Sequence, residues 1–67
     1  MANEKPAHVQ RMLDEYKELE MRIDKLEEFV GNQRWAAMEE IDRQLLISQL
    51  TAMKCYATSL SLRLDRA

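Results

Sequence analysis

The sequence predicts an all-α chain, an antiparallel two-helix hairpin that assembles into a homo-oligomeric helical bundle, and three observations predict it. The composition is helical: 67 residues include one Gly and one Pro against many Glu, Leu, Lys, Arg, Ala and Met, which lose little on entering a helix. Apolar residues from Val9 to Val30 recur alternately every three and four positions, the period of a helix packed lengthwise on another. Residues 45–62, LLISQLTAMKCYATSLSL, also read as helix, yet they carry a single charge, Lys54.

One domain spanning residues 1–67 is expected, with helix 1 over about residues 6–30, a hinge at 31–33, a short turn at 34–38 and helix 2 over about 39–64. Pro6 suits the first turn of helix 1, because its missing N–H would have no intrahelical partner there. The seam of helix 1 is Val9, Met12, Tyr16, Leu19, Ile23, Leu26 and Val30, and the positions between are mostly charged. Asp14 with Lys17 and Glu18 with Arg22 have the spacing of helical ion pairs, each worth a few tenths of a kcal/mol. Gly31 stands where a helix ends in a left-handed residue, and Asn32 can cap the segment after it. Residues 34–38 form a turn of their own or open helix 2. Glu39, Glu40 and Asp42 favour a helix start near residue 38, and Arg63 and Arg66 suit its negative end.

Helix 2 has two usable faces. Leu46, Leu50, Met53, Ala57, Leu60 and Leu64 share one, which suffices to cover helix 1. Opposite lie Ser48, Thr51, Ala52, Cys55, Thr58, Ser59 and Leu62, mostly short and all uncharged, where another backbone could come close. Uncharged solvent faces are unusual in helices of small soluble proteins. A chain of this length buries only about 60% of its extended surface and ordinarily needs a disulfide, a metal or a partner. One cysteine excludes an internal disulfide, and a lone His8 with a lone Cys55 makes no metal site of familiar spacing. Self-association is what remains, with Ser48, Ala52, Cys55 and Ser59 at the contact.

A net charge of -2 offers no positive field for duplex nucleic acid. Gln49, Thr51, Lys54, Thr58 and three serines interrupt the apolar run, which argues against a membrane span. The start, MANEKPAHVQ, lacks the basic and apolar regions of a signal peptide, and the free thiol suits a reducing compartment, so a cytoplasmic protein is expected. No catalytic set, metal centre or cofactor is expected. In a hairpin whose opposed residue numbers sum to about 69, His8 faces the region of Ser61, roughly one and a half turns from Cys55.

Two groups of side chains are candidates for binding. Gln49, Tyr56 and Arg63 recur every seven residues along one edge of the apolar stripe of helix 2. They can serve packing, with Gln49 setting register and Arg63 extending to solvent. They can also hold a small planar anion where subunits meet, with Arg63 on phosphate, Tyr56 stacking and Gln49 on a base edge. Trp35 and Phe29 flank the hinge with Arg34 beside them, where they either close the end of the hairpin or anchor a protein partner.

With these residues in place, the chain resembles a family of very short phage and prophage proteins, best known from crAss-like phages. The resemblance covers roughly residues 9–63 and rests on Lys25-Leu26-Glu27-Glu28-Phe29-Val30, then Trp35, then Leu45-Leu46, Gln49-Leu50, Ala52-Met53, Tyr56, Leu60 and Arg63. It departs where Ser, Thr, Ala and Cys stand in helix 2 in place of the Lys and Glu frequent in relatives. The resemblance implies a phage accessory protein and assigns no chemistry. Small helical phage proteins of similar build include sponges that oligomerise and sequester cyclic nucleotides or ADP-ribose derivatives used by bacterial immune systems, an analogy of architecture. The first expectation is therefore a non-enzymatic sponge for a small anionic nucleotide. The alternative is an inhibitor or dimerising adaptor that binds a host protein.

Overall fold

The computed structural model describes residues 6–67; residues 1–5, part of the N-terminal segment weighed above for a leader, lie outside the described residues. The chain is all-helical, with α1 at Ala7–Phe29, α2 at Gln33–Ala36 and α3 at Glu40–Asp65. Pro6 is the cap of α1 rather than a member of its first turn. Its carbonyl accepts from the N–H groups of Val9 and Gln10, both at 3.0 Å.

The periodic residues lie where their spacing predicts. On α1, Val9, Leu19 and Ile23 are buried and Met12, Tyr16, Leu26 and Val30 half-buried; on α3, Leu60 is buried and Leu46, Leu50, Met53, Ala57 and Leu64 are half-buried. Leu60, wholly inaccessible, joins Leu19 and Ile23 in the core, with Met12, Tyr16, Leu50, Met53 and Ala57 packed around them. The molecule is a rod of 53 × 16 × 13 Å, only two helices across. Each long helix therefore has one covered face.

α1 ends as the residues at its end require. Val30 leaves the helical region while its N–H still donates to the Leu26 carbonyl, and Gly31 comes next at φ +93°. Asn32 then caps α2, its Oδ1 accepting from the Trp35 N–H at 2.9 Å. A Cβ on Gly31 would meet nothing within 4 Å, so Gly31→Ala should cost only backbone strain, about 1–2 kcal/mol. Urea denaturation is the check: Gly31→Asn should recover part of the loss, whereas an unchanged midpoint for Gly31→Ala would mean that the turn adapts.

The axial register differs from a symmetrical closure. Such a closure sets Glu27 opposite Asp42 and Tyr16 opposite Met53. Instead Glu27 pairs with Lys54 at 2.7 Å, and Tyr16 lies beside Ser61. α3 is displaced along α1 by roughly two turns, and its first turns extend past the end of α1 to where α2 lies. Arg43 is half-buried there with its guanidinium 5.4 Å from the Trp35 ring centroid. The shift also takes His8 away from Ser61. Within α1, Glu18 and Arg22 form their pair at 2.9 Å, but Asp14 accepts from Gln10 at 3.0 Å and does not pair with Lys17.

Candidate functional site

The uncharged face of α3 is open. Ser48, Ala52, Cys55 and Ser59 are all exposed, and so are Ile41, Leu45 and Leu62 around them. Thr51 and Thr58 turn their hydroxyls back onto the helix, donating to the carbonyls of Ile47 at 3.0 Å and Lys54 at 3.1 Å. Both hydroxyls are thereby satisfied within the helix, and the face needs fewer outside hydrogen bonds than its residue types suggest. Lys54, the one charge of the segment, bends instead to Glu27 on α1.

Gln49, Tyr56 and Arg63 lie on one exposed edge of α3, between the face that covers α1 and the open face. Gln49 donates weakly to the Met53 sulfur at 3.8 Å. The Tyr56 phenol donates to Glu15 Oε1 of α1, a contact between the two long helices. Arg63 forms no ion pair among the described residues. A single chain encloses no cavity among the described residues, so the edge is a surface line rather than a formed pocket. Glu15 was not singled out in the sequence, although it is adjacent to seam residue Tyr16 and so stands at the boundary of the core.

Glu15 also sets the proton affinity of the edge. Its hydrogen bond, then desolvation and its negative charge, raises the Tyr56 pKa above the ordinary value near 10, and Arg63 opposes the rise. Tyr16 is raised likewise, chiefly by its bond to Glu20. A group whose pKa is raised by folding stabilises the fold below its unfolded pKa and stops doing so as pH passes the folded value. The α1–α3 contact at Tyr56 should therefore hold at neutral pH and weaken above pH 10. Ultraviolet titration of the phenols should show Tyr56 ionising late, and Glu15→Gln should bring it earlier; identical curves would remove Glu15 from the site.

At the other end, Trp35 and Phe29 are half-buried while Arg34 is exposed. Arg43, not Arg34, takes the ring of Trp35, a contact between cation and π-face that helps close this end of the rod. The indole N–H of Trp35 is covered and has no hydrogen-bond acceptor among the described residues. Arg43 had a legible signal: it is three residues before Leu46 and continues the inner seam. Among the described residues no three His, Cys, Asp or Glu side chains are grouped to hold a metal ion, and no helix is long and apolar enough to cross a membrane.

Comparison with known proteins shows this sequence to be similar to a small phage protein. A family model described as Sequestin matches residues 6–66. The chain is 31% identical over 58 residues to an uncharacterized 7.5 kDa protein of Enterobacteria phage T4, named for the denB-rIIB intergenic region, and the match covers 87% of this chain and 91% of that protein. No solved structure matches.

Proposed function

The chain belongs to the Sequestin family, and we propose that it is a counter-defence sponge that binds a nucleotide immune signal between subunits in the host cytoplasm and holds it without turning it over. The observation that carries this reading is the edge of Gln49, Tyr56 and Arg63, exposed beside an uncharged helix face, with the Arg63 guanidinium free of any ion pair among the described residues. Arg63 would take a phosphate, Tyr56 would stack on a base, and Gln49 would meet the base edge. The name of the family supports sequestration, and the T4 relative supports a phage setting. A wider kinship with small proteins of crAss-like phages belongs to the same proposal. The alternative of a host-protein adaptor would rest on Trp35, Phe29 and Arg34, and two of those side chains are already partly covered within the chain.

Thermal shift against cyclic dinucleotides and ADP-ribose compounds tests the reading. A ligand at a hundredfold excess over its Kd adds about 2.7 kcal/mol, enough to raise Tm by several degrees in a chain this small. Arg63→Ala should abolish the shift, because each charge-assisted bond to phosphate contributes about 1.5–3 kcal/mol. Tyr56→Ala should lose about 1–3 kcal/mol of stacking and Tyr56→Phe should keep most of it. Glu15→Gln should tighten binding by removing a negative charge from the edge. A wild-type shift in Arg63→Ala would overturn the site.

A further inference from the structure

The open face of α3 is a second heptad seam, Ile41, Leu45, Ser48, Ala52, Cys55, Ser59 and Leu62, spaced alternately by four and three. Every member is exposed, the three largest at 57–59%, and none is charged. The inner seam from Leu46 to Leu64 already covers α1, so α3 has two coiled-coil faces and a partner for only one.

The pattern complements itself when reversed. When a copy of the helix is laid antiparallel, Leu45 meets the second copy's Leu62, Ser48 its Ser59, and Ala52 its Cys55. Large residues then meet large ones at both ends, and small meets small in the middle. The flanking positions agree independently. On the edge that carries the candidate site, Asp42 falls beside the second copy's Arg63 and Gln49 beside its Tyr56; on the other edge, Thr51 falls beside Thr58. Both Asp42 and Arg63 are exposed and lack an ion pair within the described chain. A parallel pairing would set each edge against the opposite edge of its partner, Arg63 beside Thr58 and Asp42 beside Ala37, and would leave both charges without a counter-charge.

We propose that the open face of α3 binds a second copy of this chain antiparallel, about a two-fold axis level with Met53 and Lys54, with Asp42 of each copy against Arg63 of the other. The four long helices then lie in a row, the two α3 helices side by side at the centre and α1 of each copy outside them, and the line from Gln49 to Arg63 becomes a two-chain edge, each copy setting Gln49 beside the other's Tyr56. The pairing rests on the sponge reading only in sharing Arg63, which a bound phosphate would take over from Asp42; it requires no ligand, so a dimer that binds no nucleotide would retire the sponge alone.

Charge reversal tests the register, with mass by light scattering and no nucleotide present. Wild type should run at twice the chain mass of 7.9 kDa. Asp42→Arg alone and Arg63→Asp alone should each shift toward monomer, since each puts like charges together at both ends of the contact. Mixing the two single variants should restore the dimer, because every clash in one is matched by the opposite charge in the other. Cysteine chemistry gives a second measurement: on mild oxidation, Ala52→Cys should link two chains through Cys55, while wild type stays unlinked. Wild-type chains joined through Cys55, or a mixture that stays monomeric, would overturn the antiparallel pairing.

Discussion

Leu60→Ala should nearly unfold the protein. Leu60 alone among the described residues has no accessible surface, and it lies against Leu19 and Ile23 where the long helices meet. Removal of a buried leucine side chain costs about 2–5 kcal/mol, more when the surroundings cannot close over the gap. The total stability of a chain this size is about 3–10 kcal/mol. A rod two helices wide has no second layer to relax inward, so the loss should be large within that range. Circular dichroism during heating should show a broad, early transition, whereas Leu64→Ala, at a half-buried site near the end of α3, should remain cooperative. A Leu60→Ala melt matching wild type would place the core elsewhere.

Ala52→Glu should dissociate the proposed dimer. On an isolated chain the change is mild, because Ala52 is exposed and Glu is a good helix former, so a few tenths of a kcal/mol are at stake. Within a contact between copies, each chain would insert a carboxylate among apolar and small side chains without a counter-charge, a cost of several kcal/mol per ion. The two magnitudes are far enough apart to decide. Sedimentation should find Ala52→Glu at 7.9 kDa with reduced helicity. An assembly of unchanged midpoint would move the contact off this face.

Which faces of the helices are covered was legible, because burial tracks the period of apolar residues: each seam residue from Val9 to Val30 and from Leu46 to Leu64 is buried or half-buried. The turn was legible too, since Gly31 at φ +93° and the Asn32 cap are local chemistry. The axial offset of α3 was not. Periodicity specifies a face but leaves a helix free to slide by whole turns, and the contact of Arg43 with Trp35 near the start of α3 has no periodic signature. The contact that depends on that offset, Glu27–Lys54, was hidden with it. The candidate line of Gln49, Tyr56 and Arg63 was legible as spacing, whereas the carboxylate that bonds its phenol was not.

The chain is proposed to capture an anionic nucleotide and to release it unchanged. The most direct measurement incubates the chain with the cyclic dinucleotide or ADP-ribose compound that raises its Tm, filters away free ligand, denatures the protein by heat and identifies the released compound by chromatography. Sequestration predicts that the compound is retained by wild type, lost with Arg63→Ala, and recovered chemically intact. A converted product, or equal retention by Arg63→Ala, would contradict it.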